Sequence, residues 1–189
     1  MELLDKKFMN ILDFIENPVT NHHAGDKPVC YLTFDVESLI SVKRKLDAWI
    51  SLAQGKGFNL KIISIADVLN DFFKNNPRRN TWLSFDGLTN KEEVVELMDG
   101  LGSNVRENRI IENAILPAQN EILKEKQPLL IITDLEAIHP FSRFGPIEQN
   151  IYNQIEVPLI ILYPGKLEGS SLEFLGFYPP DGNYRSKHF

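Results

Sequence analysis

Between residues 28 and 74 the chain alternates short β-favouring runs with helical stretches, and this rhythm restricts the fold more than any other feature. Residues 28–34, Pro-Val-Cys-Tyr-Leu-Thr-Phe, read as a buried strand because most of them favour β structure. Next, Leu39, Val42, Leu46, Trp49 and Ala53 fall on one helical face, while Lys43, Arg44, Lys45 and Asp47 lie off it as a solvated surface. Gly55-Lys56-Gly57 supplies a left-handed stop. A second strand at 60–65 leads into a second helix at 66–74, which ends before Pro77. Strand–helix–strand–helix at this spacing predicts an α/β fold, with a mainly parallel sheet flanked by crossover helices.

The remaining segments fit the same plan. Residues 2–16 carry Leu4, Phe8, Ile11, Leu12 and Ile15 at helical spacing. Thr89-Asn90-Lys91-Glu92 reads as a capping box for a helix through Met98, and Gly100, Gly102, Ser103 and Asn104 interrupt the pattern. A longer helix is expected over 105–126, kinked or broken at Pro117. Leu129-Leu130-Ile131-Ile132-Thr133 is the clearest core strand, followed by a short helix at 146–155 and another buried strand at 157–162. Tyr163-Pro164-Gly165 should end that strand, and 171–177 with 184–189 should form a terminal β-hairpin through Pro179-Pro180-Asp181-Gly182. No linker or repeat divides residues 1–189, so one domain is expected.

With 43% hydrophobic and 24% charged residues, the chain can bury a substantial core. The single cysteine, Cys30, lies in an apolar run and reads as a small buried hydrophobe suited to a reducing compartment. The N-terminus lacks the basic start and unbroken apolar stretch of a signal peptide, and no run approaches a membrane span. The expected location is therefore cytoplasmic. A formal net charge of −6 argues against a mainly electrostatic nucleic-acid binder.

The parallel sheet raises the question of nucleotide chemistry. A phosphate loop needs Gly-x-x-x-x-Gly-Lys-Ser/Thr after a strand, so that bare amides wrap the phosphates. No such string occurs, and the junction after the first strand, Asp35-Val36-Glu37-Ser38, places two carboxylates where phosphate would sit. Asp35 reads there as a helix cap. The run Leu129–Glu136 resembles a Walker-B strand, with Asp134 and Glu136 at its end, but the same residues serve as turn or cap. The fold is thus P-loop-NTPase-like without a phosphate loop. His139 beside Asp134 and Glu136 is the only arrangement with the makings of a carboxylate–imidazole metal site; His22, His23 and His188 lack partners at ligand spacing. No Gly-x-Ser-x-Gly occurs, and Cys30 has no basic residue nearby in sequence. Arg78-Arg79 and Arg106/Arg109 are candidates for acidic partners. The aromatic tail, Phe174, Phe177, Tyr178, Tyr184 and Phe189, divides between core and contact surface.

The C-terminal third carries a family resemblance. Residues 129–141, then Val157-Pro158-Leu159-Ile160-Ile161-Leu162-Tyr163-Pro164-Gly165, then 168–176 and Asn183-Tyr184-Arg185, resemble the BrxB family of BREX bacteriophage-defence systems. The resemblance implies a small, non-catalytic adaptor or scaffold without cofactors. It would act beside an AAA-type ATPase, a PglZ phosphatase-like protein and a DNA methyltransferase. Tyr163, Gly165, Tyr184 and Arg185 are the candidate interaction residues, since aromatic and arginine side chains anchor interfaces. The competing readings are a cryptic metal-dependent hydrolase using Asp134, Glu136 and His139, a degenerate nucleotide binder, and a DNA-contacting accessory subunit.

Overall fold

Four strands carry the parallel sheet: β1 (Val29–Phe34), β2 (Asn59–Ser64), β3 (Pro128–Thr133) and β4 (Leu159–Glu168). In this computed structural model, which describes residues 3–17, 29–85, 87, 90–169, 171–179 and 186–189, they lie in the order β2-β3-β4-β1. The short strand β6 (Lys187–His188) adds parallel to the outer side of β1. A further strand, β5 (Ser171–Phe174), pairs antiparallel with the far end of β4.

The inner strands are apolar on both faces, so helices must cover both. On one face, Cys30, Leu32, Phe34, Leu129, Ile131, Ile160 and Leu162 pack under α1 (Leu3–Glu16) and α2 (Leu39–Gly55). On the other, Tyr31, Leu130, Ile132, Leu159, Ile161 and Tyr163 pack under α3 (Ile65–Asn75), α6 (Glu112–Ile122) and α7 (Phe144–Ile151). Two further helices, α4 (Arg79–Leu83) and α5 (Lys91–Glu107), extend from that second layer. Alternate residues of each strand thus serve separate cores, as the two-residue period requires. Cys30 is fully buried as expected, and burial pushes its thiol up to about 12. Among the described residues no helix is long and apolar enough to cross a membrane.

Three local expectations need correction. First, β4 does not stop at Tyr163-Pro164-Gly165; it continues to Glu168 and turns at Gly169 into β5. Pro164 removes one donor, yet its carbonyl still accepts from the Leu175 amide at 2.9 Å. Second, Ser171–Phe174 therefore pairs with β4, while the C-terminal strand joins β1 instead of closing a hairpin with it. Third, α5 runs straight through Gly100 and Gly102 to Glu107, and the break falls at Asn108 and Arg109, where Arg109 is left-handed (φ 49°). The helix caps on Asn90, whose side chain accepts from the Glu92 amide, and Pro117 sits inside α6.

Gly165 is required by strand contact, since a Cβ there would lie 1.9 Å from the Glu173 carbonyl oxygen and 2.8 Å from the Tyr163 ring. Gly165→Ala should therefore force β4 and β5 apart and lower stability by about 1–3 kcal/mol, the range for overpacked sites. Urea titration of the purified protein measures this, and an unchanged midpoint would contradict the pairing described.

Candidate functional site

The carboxyl ends of β1, β3 and β4 meet at one edge of the sheet, where open α/β folds ordinarily bind ligands. Asp134 follows β3 in a left-handed conformation (φ 55°, ψ 38°), which short polar side chains tolerate. Its side chain makes no capping bond, contrary to the cap reading. Lys43, one turn into α2, instead reaches across to both carboxylates. Its ammonium lies 2.6 Å from Asp134 Oδ1 and 2.6 Å from Glu136 Oε1. The Thr133 hydroxyl donates to Asp134 Oδ2 at 2.8 Å, and the Ser64 hydroxyl also bonds this carboxylate. Ser64 meanwhile caps α3 by accepting from the Asp67 amide. Lys43 is thus not a freely solvated surface lysine, as its place off the apolar stripe had implied.

These contacts set the titration of both partners. Burial pushes the Asp134 carboxyl upward, but hydrogen bonds from Lys43, Thr133 and Ser64, with the Lys43 charge, outweigh it and hold the group below its usual range. Burial pulls Lys43 down, and the two carboxylates outweigh that and hold it above its usual range. Both groups move away from neutrality, the opposite of what proton transfer near pH 7 requires. The space beside them, walled by Phe34, Val42 and Leu162, is about 20 Å³, room for a single water.

The other predicted positions separate. His139 does not join the carboxylates: its Nδ1 lies 2.5 Å from the Tyr178 hydroxyl, and its ring packs edge-on against Phe177 and Tyr178. Among the described residues, no three His, Cys, Asp or Glu side chains gather as a metal site would need. Tyr163 is buried, edge-on to Tyr31 at 5.4 Å, and Gly165 is enclosed between strands. Tyr184 and Arg185 lie outside the described residues, as do His22 and His23. Asp35 does not cap the following turn; it pairs with Lys166 at 3.3 Å. It borders a cleft of about 590 Å³ that also includes Lys7, Thr33 and His188. Of the aromatic tail, Phe174 is core, Phe177 is exposed, and the Phe189 backbone pairs with Tyr31 and Thr33 of β1.

Sequence reasoning passed over Glu148, whose carboxylate is buried and accepts from the Tyr31 hydroxyl at 2.6 Å and from the Ser186 hydroxyl. It ties α7 to β1 and to the C-terminal segment. The one signal in the sequence was an acid at an otherwise helical core position, beside Ile147 and Ile151.

The fold and this edge define a class: an α/β protein with a mostly parallel sheet and a carboxylate pair after β3, closed by a lysine of its own. Comparison with known families gives the particular one. The family model described as BREX protein BrxB matches residues 61–189, more than half of the chain, and the chain belongs to that family. It is therefore a component of a BREX defence system. No curated protein and no solved structure matches it.

The pH dependence of the lysine–carboxylate cluster follows from its signs. The folded value of Asp134 lies below the unfolded one, about 3.9, so its contribution is present above that pH and lost as pH falls through the folded value. The folded value of Lys43 lies above the unfolded one, about 10.4, so its contribution is present below that pH and lost as pH rises further. Lys43→Met should cost about 1 kcal/mol, since the ammonium is partly exposed. In urea melts that cost should stay level from about pH 5 to 9 and shrink at both ends. A cost that grows below pH 4 would contradict the pairing.

Proposed function

We propose that the protein acts in the BREX complex as a non-catalytic cytoplasmic adaptor, holding larger components together through its surface. The observation that carries this reading is Lys43 bridging Asp134 and Glu136 at 2.6 Å each. An α/β enzyme would present those carboxylates to a metal ion or a reacting group. Here they are engaged by an internal cation, under apolar walls and beside a void that fits one water. The carboxylates Asp35 and Glu37 after β1 further disfavour phosphate at the neighbouring strand end. The BrxB family membership supplies the setting, and the other BREX proteins supply the partners. Those proposed are the AAA-type ATPase, the PglZ phosphatase-like protein and the DNA methyltransferase.

Glu136→Gln separates an adaptor from an enzyme. The amide keeps a hydrogen-bond acceptor for Lys43 and removes the carboxylate that hydrolysis would use. In a host carrying the full BREX operon, the variant should retain phage protection within about tenfold of wild type, a change of under about 1.4 kcal/mol. It should also co-elute with the same BREX proteins as the parent. A folded variant that assembles normally yet loses protection by several orders of magnitude would establish a catalytic role and end the adaptor reading.

A further inference from the structure

Helices α4 and α5 flank the second core, and α5 joins it only at its inner end, through Gly102 and Val105. Along α5, Val94, Leu97, Met98 and Leu101 repeat at helical spacing, yet none is fully buried. They face Trp82 and Phe85 across an open groove of about 720 Å³ that also reaches Phe73 and Phe141. A second groove of about 700 Å³ lies against the same helices, with Trp82, Phe85, Leu97 and Leu101 common to both. Leu83, Phe85 and Val95, all in this segment, are among the large apolar side chains left exposed. A stripe of this kind ordinarily marks an interface.

The charges around the groove point to its occupant. The α3–α4 side supplies Lys74, Arg78 and Arg79, and the α5 side supplies Glu93 and Glu96. Elsewhere Lys43, Lys45, Lys56, Lys61 and Lys166 form ion pairs within the chain. Among the described residues, no ion pair engages Arg78, Arg79, Glu93 or Glu96. A partner of a single sign would leave one wall of the groove unmatched. A twofold axis, in contrast, places each wall against the opposite wall of the other copy, so a surface carrying both signs complements itself. Gly100 adds to this. It lies inside α5, where glycine costs about 1 kcal/mol relative to alanine, and a Cβ there would meet nothing within 4 Å. Gly102 is different, since its Cβ would meet the Phe141 carbonyl at 2.9 Å. Among the described residues nothing packs against position 100, whereas close approach of a second backbone would call for a glycine there.

We propose that two copies of this chain associate through the α4–α5 grooves about a twofold axis, setting Arg78 and Arg79 of one copy against Glu93 and Glu96 of the other. This inference stands independently of the adaptor reading. If both hold, each assembly presents two equivalent sets of partner surfaces.

Sedimentation equilibrium on the purified full chain tests it. Wild type should show a concentration-dependent monomer–dimer equilibrium, weakened by added salt. Arg78→Glu and Glu96→Lys should each raise the dissociation constant about tenfold or more, and the two together should restore it, because the pairs re-form across the axis. Gly100→Leu should leave the melting temperature equal to or above that of wild type and yield monomer, because its side chain enters the groove. Wild type that stays monomeric to about 200 μM, a concentration that would populate any dimer of even modest affinity, overturns the proposal. So does a dimer that survives both charge reversals and Gly100→Leu unchanged.

Discussion

A strand that is apolar on both faces is stable only when helices shield both, and β1, β3 and β4 are such strands. That requirement sends α1 and α2 to one side of the sheet and α3, α6 and α7 to the other. It also fixes register, because a one-residue slip would exchange the residues serving each core. The pairing of Cys30 with Ile160 and Tyr31 with Ile161 keeps like faces together. With the strands parallel, their carboxyl ends share one edge, and the residues after them are forced into proximity whatever their sequence separation. Lys43, Asp134 and Glu136 meet for this reason.

Once gathered there, the charged groups have limited options. Two carboxylates close together repel, and relief comes from a cation or from protonation. Lys43 supplies the cation from within the chain, while Thr133 and Ser64 satisfy further lone pairs of Asp134. A partly exposed cluster of this kind adds little to net stability, and its main consequence is to hold Asp134 ionised and Lys43 charged. Glu148 shows the same logic deeper in the core. Its burial is tolerable because Tyr31 and Ser186 donate to it, and that bond anchors the C-terminal segment beside β1. The two carboxylates at the sheet edge are thus engaged within the chain.

Much of this was legible in the sequence, and what was not follows a pattern. The strands at β1, β2 and β3 and the helices α1 to α3 were readable because their periodicity is local. The run through Tyr163-Pro164-Gly165 was misread as a stop, because proline and glycine ordinarily end strands. Only the antiparallel return of Ser171–Phe174 makes glycine obligatory there. Gly100 and Gly102 were misread as a break for a similar reason, when Gly102 in fact answers to the Phe141 carbonyl. Asp134 and Glu136 were singled out as a pair, but the lysine that bridges them was not, since Lys43 is distant in the chain and looked like solvated surface. His139 was grouped with them by sequence proximity, and its ring turns instead toward Tyr178. Contacts across the sheet edge have no signature in a linear pattern.

The central claim is that the Lys43 ammonium is a permanent occupant of the space between the two carboxylates. Nuclear magnetic resonance of the Lys43 side-chain nitrogen, assigned with Lys43→Arg, addresses this directly during titration with millimolar Mg²⁺, alone and with ATP. The account predicts a protonated Lys43 whose resonance, like that of the Asp134 carboxyl carbon, stays unchanged throughout. A saturable shift of both signals would show that the lysine yields its place to a metal ion and would contradict the account.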